Sequence, residues 1–178
     1  DNGEEEEENE KKKQNIVSGM SVSRVFDFLF SVDLAEWGAD MLDMPLTQTT
    51  TELAVKGGNV CTLKWLLSKD VPLQSRHDVC CWAAGAGHLP MLQYLRSLEK
   101  PYPWDSRTCS YAAQSGHLHV LQWARSQPER CPWDLWTCAD AAKNGHLHVM
   151  QWARSQPEPC PWNKWTCANA ALKGHLEV

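Results

Sequence analysis

The chain has 178 residues, 43% hydrophobic and 22% charged, with a net charge of −5; that length suits one domain or a short array of small units, and the composition suits a folded protein. No run approaches the ~18 consecutive apolar residues of a membrane span, which argues against a membrane-spanning chain. Residues 1–15 set Asp1, Glu4 to Glu8 and Glu10 against Lys11, Lys12 and Lys13, a balance of −4 that leaves −1 for the rest. A nearly neutral body lacks the basic footprint that phosphate neutralisation requires, so no nucleic-acid partner is expected.

In chain order, residues 1–15 (DNGEEEEENEKKKQN) come first. Their apolar surface is too small to offset chain entropy, and a disordered acidic tail is expected; such a block can also serve as an interaction arm. The chain begins at Asp1 without a signal-peptide hydrophobic stretch and stops at Val178 inside a repeating pattern, so it reads as a piece of a longer protein or an incomplete gene product. Residues 16–46 contain two short apolar stretches, 25–29 (VFDFL) and 34–42 (LAEWGADML). They are expected to form helices of a degenerate N-terminal capping region, because terminal units of a repeat array are atypical.

From residue 47 onward the sequence copies itself. Gly87-His88, Gly116-His117, Gly145-His146 and Gly174-His175 follow one another at 29 residues, and Gly58-Asn59 lies 29 residues before the first. Fixed periods of this size mark repeat arrays. Residues 104–132 (WDSRTCSYAAQSGHLHVLQWARSQPERCP) and 133–161 (WDLWTCADAAKNGHLHVMQWARSQPEPCP) agree at 21 of 29 positions, and a further copy starts at Trp162 and is cut short. Looser copies cover 47–72 and 73–103, giving about five units over 47–178. Copying also accounts for the bias of ten Trp against three Phe and three Tyr.

Each unit is punctuated for two helices. Asp105, Asp134 and Asn163 stand where an N-cap belongs, able to accept orphan backbone N–H groups. About ten helix-compatible residues follow and end at the Gly, a natural left-handed C-cap. A second helix is expected at 146–156, with Leu147, Met150 and Ala153 on one face, until Gln156-Pro157 ends it. No period-2 alternation is sustained, so strands are not expected. Ala112-Ala113, Ala141-Ala142 and Ala170-Ala171 would let first helices approach closely, while Trp123 and Trp152, matched by Trp65 and Tyr94, would supply the bulk that neighbouring units bury.

The run Ala-Ala-x-x-Gly-His-Leu-x-Val-[Leu/Met]-Gln-Trp resembles the core of the ankyrin repeat, and Cys131-Pro132-Trp133-Asp134 sits where that family has Ala-Asp-Val-Asn. The likeness covers most of the chain, with two departures. The unit is 29 residues rather than about 33, the shortfall falling in the hairpin between units. The family's Thr-Pro-Leu-His helix start is replaced by Trp136-Thr137-Cys138-Ala139. The resemblance implies an all-α, helix-turn-helix solenoid that binds other proteins, with the projecting hairpin shortened to a plain turn. Residues 16–46 also look faintly like an F-box, which would make the chain an adaptor recruiting targets to a ubiquitin ligase.

Differences between the copies cluster in pairs. Ser106-Arg107 stands against Leu135-Trp136 and Lys164-Trp165, Ser110-Tyr111 against Ala139-Asp140 and Ala168-Asn169, and Gln114-Ser115 against Lys143-Asn144 and Leu172-Lys173. A spacing of four residues puts them on one helix stripe. Drift on a solvated face would produce such variation; so would a concave face that reads a partner. Arg107, Tyr111, Trp136 and Trp165 favour the second reading, since Arg, Tyr and Trp dominate interface energetics. The expected partner-binding residues are Arg107, Tyr111, Gln114, Trp136, Asp140, Lys143, Trp165, Asn169 and Lys173. The expected partner is another protein, bound by a monomer.

The eight Cys and seven His raise zinc as an alternative, but no Cys-x2–4-Cys pair occurs, and the His of each Gly-His pair reads as a structural group bonding a nearby carbonyl. Cys138 replaces a core residue, and unpaired buried thiols point to a reducing, cytoplasmic setting. No nucleophile elbow, P-loop or His-Glu-x-x-His is present, and every reactive-looking residue recurs at the repeat period. Neither catalysis nor a cofactor is expected, because an active site needs one asymmetric constellation.

Overall fold

The structure is a computed structural model that describes residues 46–73, 78–175 and 177. The expected acidic tail, and the capping or F-box-like region up to residue 45, lie outside the described residues. The described residues are helical, without strands. The chain divides into two units, Asp1–Gln74 and Ser75–Val178, and the division falls two residues into the second expected copy.

In the first unit, α1 (Gln48–Lys56) and α2 (Val60–Ser68) form a hairpin. Thr50 Oγ1 accepts the backbone N–H of Thr47 at 3.2 Å, and Asn59 Oδ1 accepts that of Thr62 at 3.0 Å, so each helix start is satisfied by a side chain. Gly58, at φ 74°, makes the turn between them. Ala54, Val55, Leu63 and Leu66 are buried.

The second unit carries α3 (Val79–Gly85), α4 (Leu89–Ser97), α5 (Ser106–Gln114), α6 (Leu118–Ser126), α7 (Leu135–Lys143), α8 (Leu147–Ser155) and α9 (Lys164–Leu172). Odd-numbered helices pack in succession, α3 on α5, α5 on α7 and α7 on α9, while α4, α6 and α8 each pack against the helix before them. The expected N-caps are in place: Asp105, Asp134 and Asn163 accept the backbone N–H of Arg107, Trp136 and Trp165 at 3.0, 2.9 and 2.9 Å. The hydroxyl oxygens of Thr137 and Thr166 accept the N-cap N–H of Asp134 and Asn163 at 3.4 and 3.3 Å, a reciprocal cap built from Thr where Glu is usual.

The Gly-His pair does two jobs. Gly116 closes α5 at φ 76°, with its N–H on the Ala113 carbonyl and that of His117 on Ala112. The ring of the next His then lies against that glycine: a Cβ on Gly116 would stand 2.7 Å from His146 Nδ1, and one on Gly87 2.8 Å from His117 Cε1. His146 Nε2 lies 3.0 Å from the Gln114 carbonyl, and His119 and His148 reach the carbonyls of Gly87 and Gly116 at 3.1 and 3.2 Å. Each imidazole thus ties its own hairpin to the turn of the one before, extending the expected local bond across units. Burial lowers the affinity of His117 for a proton, with the neighbouring His119 adding to the effect.

A second ladder holds the connections. Arg96, Arg125 and Arg154 stack 4.2, 4.1 and 4.7 Å from the rings of Trp104, Trp133 and Trp162. Each also donates to a carbonyl six residues on, that of Tyr102, Cys131 or Cys160, at 2.8–2.9 Å. Arg96 pairs with Glu129 and Arg125 with Glu158, so the same guanidinium fixes its own connection and touches the next.

The core differs from expectation in one respect. Trp123 and Trp152 are half-buried, standing edge-on to Trp104 and Trp133 at ring separations of 5.9 and 6.0 Å. The fully buried bulk comes from Leu and Val: Leu92, Leu95, Val120, Leu121 and Val149. On α8 the buried face is Val149, Met150 and Ala153, with Leu147 half-buried. Between α5 and α7, Ser110 Oγ lies 3.3 Å from Thr137 Oγ1, both buried, so the close approach that alanines permit also satisfies two hydroxyls.

Candidate partner-binding face

The stripe read from the copies falls on α5, α7 and α9. Arg107, Tyr111 and Gln114 on α5, Trp136 and Lys143 on α7, and Trp165 on α9 are exposed, with Asp140 and Asn169 half-buried. The other member of the central pair, Ser110 or Ala139, is buried between helices. In these two copies one residue of the pair packs between helices and its neighbour faces outward, whereas in the last copy Ala168 is exposed.

Seven of the nine expected residues line two cavities. The first, about 280 Å³, is bounded by Arg107, Ser110, Tyr111 and Gln114 of α5 and by Asp134, Trp136 and Asp140 at and along α7. The second, about 410 Å³, is bounded by Leu135, Trp136, Asn163, Trp165 and Asn169. Trp136 is a wall of both. Tyr111, Trp136 and Trp165 are 46, 55 and 57% exposed, which is unusual for the largest apolar side chains unless something covers them. Lys143 and Lys173 line neither cavity. Lys173 occupies the C-cap of α9, and the residue equivalent to Gln114 and Lys143 is Leu172, 80% exposed.

Asp134 and Asn163 enter the lining because an N-cap sits at the mouth of the groove between first helices, and Ser110 enters by its small size. The sequence marks them only as caps and packing residues, so a search for variable positions passes over them.

The electrostatics are uneven. Arg107 donates from Nε and Nη2 to Asp105 Oδ2 at 3.0 and 2.9 Å and from Nη1 to Asp78 Oδ1 at 2.7 Å. The bonds to Asp105 hold the guanidinium even more firmly charged than usual. Asp140 lies opposite in character: burial raises the affinity of its carboxyl for a proton, nearby Lys143 opposes that, and no hydrogen bond from a described residue reaches the carboxylate. A carboxylate partly removed from water without a donor is the least satisfied charge on this face.

The thiols are dispersed in the packing. All eight cysteines are free, and only Cys61 and Cys167 are exposed. Cys131 and Cys160 donate from Sγ to the carbonyls of Asp105 and Asp134, each at 3.4 Å, clasping an N-cap residue to its connection. The Cys80 thiol is pushed up to about 12 by burial, against the opposing pull of Arg96. Among the described residues no three His, Cys, Asp or Glu side chains converge so as to hold a metal ion, and no helix is long and apolar enough to cross a membrane. Neither the family models nor the curated proteins compared with this chain match it.

Proposed function

We propose that this chain is a solenoid of ankyrin-like helix-turn-helix units that recognises another protein through the exposed face of its first helices, without catalysis. The single observation that carries this reading is Trp136: more than half exposed, it forms a shared wall of two adjoining cavities, on a helix whose next turn is buried at Cys138, Ala139, Ala141 and Ala142. A solvated helix face gains nothing from a ring in that position, whereas a partner-binding face gains the largest apolar contact available to one side chain. The solenoid is supported by the succession of first helices in the second unit and by the recurrence of each Gly, His and Arg contact at the repeat period.

The test separates binding from folding. Trp136→Ala and Tyr111→Ala remove exposed ring area, so melting of either variant stays within ~0.5 kcal/mol of the parent, as for surface changes away from packing. Binding partners captured by the parent chain lose affinity by at least ~10-fold, the usual range for truncating an aromatic at the centre of an interface. Unchanged binding by both variants refutes the reading.

A further inference from the structure

We propose that the cavity between α5 and α7 seats a lysine or arginine side chain of the partner, and that the adjoining cavity between α7 and α9 seats a bulky apolar side chain about three residues away along the same extended segment. This rests on the first-helix face being the binding surface, and it names what that surface reads.

The first cavity is built for a cation. Two aromatic rings, Tyr111 and Trp136, share its lining with two carboxylates, Asp134 and Asp140. Its one lining cation, Arg107, is already held by Asp105 and Asp78. Counting the charged groups at and around it, Asp78, Asp105, Asp134 and Asp140 stand against Arg107 and Lys143, four against two, for a balance of −2. Aromatic faces attract a cation through their quadrupole, and a partly desolvated carboxylate at the same place adds directed charge. An incoming ammonium or guanidinium supplies the donor that Asp140 lacks.

The second cavity has a different character. Leu135, Trp136 and Trp165 line it with two neutral amides, Asn163 and Asn169, and no ionised group. That lining receives an apolar side chain, with the amides placed for the peptide backbone beside it. The two cavities lie in successive grooves of packed helices, whose axes are ~8–10 Å apart. A partner segment in the extended polyproline II conformation advances ~3.1 Å per residue with three residues per turn, so side chains three apart share one face and reach neighbouring grooves. The predicted signature is a basic residue and a Trp, Phe, Leu, Ile or Met three positions from it.

The experiment is an unbiased selection of displayed random peptides on the full chain, keeping those whose binding is lost with Trp136→Ala. Enrichment of a Lys or Arg at that spacing from an apolar residue supports the proposal. In a synthetic version of a kept peptide, replacing the basic residue by Glu weakens binding ~10-fold or more. Asp140→Asn keeps the shape of the cavity and removes its charge; it weakens binding of the lysine peptide several-fold and leaves unchanged the binding of the same peptide with norleucine in place of the lysine. Kept peptides that are acidic or uncharged, or indifference of the lysine peptide to Asp140→Asn, overturn the proposal while leaving the binding face intact. A selection that yields no peptide dependent on Trp136 overturns both.

Discussion

Replacing Gly116 by Ala perturbs the contact that ties one hairpin to the next, and its cost can be built from parts. At φ 76° an L side chain is strained by ~1–2 kcal/mol. Loss of glycine freedom in the unfolded chain offsets ~0.4–1 kcal/mol of that. A backbone term of ~0.5–1 kcal/mol remains, and Gly174→Ala isolates it, because at φ 77° nothing lies within 4 Å of its added Cβ. At Gly116 the new methyl meets His146 Nδ1 at 2.7 Å, Cε1 at 2.8 Å and Cγ at 3.1 Å. That ring is flat and stiff, and Nε2 holds it against the Gln114 carbonyl, so it must swing away. The swing forfeits a hydrogen bond worth ~1 kcal/mol and opens the packing for another ~1 kcal/mol or more. Gly116→Ala should therefore cost ~3 kcal/mol, about 2 more than Gly174→Ala. Denaturant unfolding followed by tryptophan fluorescence measures both. In the double variant Gly116→Ala, His146→Ala the clash has no second partner, so the cost falls short of the sum of the singles by ~1–2 kcal/mol. Equal costs for the two glycines, or strict additivity in the cycle, would show that the ring does not lock the turn.

The remaining predictions concern titration, reactivity and the tryptophan rim. His117 is held neutral by burial and by the histidines around it, His119, His146 and His88, although its bond to the Gly85 carbonyl opposes this. Its folded pKa lies below the ordinary 6.5, so the unfolded chain binds the proton first, and stability falls as pH drops from 7 through 6.5 towards the folded value. His117→Gln flattens that limb of the stability curve; an unchanged limb means that other groups set it. Thiol labelling of the native chain read by mass spectrometry should modify Cys61 and Cys167 at once and leave the six buried cysteines unmodified until denaturant is added; early labelling of Cys131 or Cys160 contradicts their burial. Trp152→Ala should cost ~2–3 kcal/mol, less than a fully buried aromatic, because the ring is half-exposed and packs edge-on to Trp133. A cost under ~0.5 kcal/mol would place Trp152 with the surface residues instead.

Much of the helical architecture was legible because its instructions are local. An Asp or Asn before ten helix-compatible residues, a Gly where the chain must turn left-handed and a Gln-Pro stop each act within a few residues, and the copies repeat them. α5, α7, α8 and α9 lie within two residues of where those signals put them. What escaped the sequence is what distant residues do together. The role of Arg96, Arg125 and Arg154 needs a tryptophan eight residues on, a carbonyl six residues on and, for the first two, a glutamate of the next unit, and no periodicity reports such a meeting. Tryptophan was expected to fill the centre of the packing by size alone; Trp123 and Trp152 stand at its edge, and aliphatic residues fill the centre. For the proposed binding face, the stripe was visible as variation between copies, but Asp134, Asn163 and Ser110 entered the cavities as caps and packing residues, which do not vary in a telling way.

The division of labour inside one unit separates the positions that vary from those that pack. Two neighbouring copies differ at eight positions: Ser106/Leu135, Arg107/Trp136, Ser110/Ala139, Tyr111/Asp140, Gln114/Lys143, Ser115/Asn144, Leu121/Met150 and Arg130/Pro159. The two buried pairs exchange residues of similar size, small for small at Ser110/Ala139 and long aliphatic for long at Leu121/Met150, the kind of swap packing tolerates. The glycine turn, the imidazole above it, the arginine on its tryptophan and the thiol on the N-cap carbonyl are held constant across that pair, whereas the Ser110–Thr137 and Arg107–Asp78 contacts are not. Charge and ring character change on the outward half of the first helix, where Arg107 becomes Trp136 and Tyr111 becomes Asp140. Asp140 shows what such a change permits. Its raised pKa means that the native state pays for keeping it ionised, so Asp140→Asn should hold or slightly raise the melting temperature at neutral pH, with the gain shrinking as acid protonates the parent carboxyl. A side chain that works against stability yet borders a cavity is better placed to meet a partner than to support the fold. A fall in melting temperature on that substitution would instead mean that the carboxylate is supporting the fold.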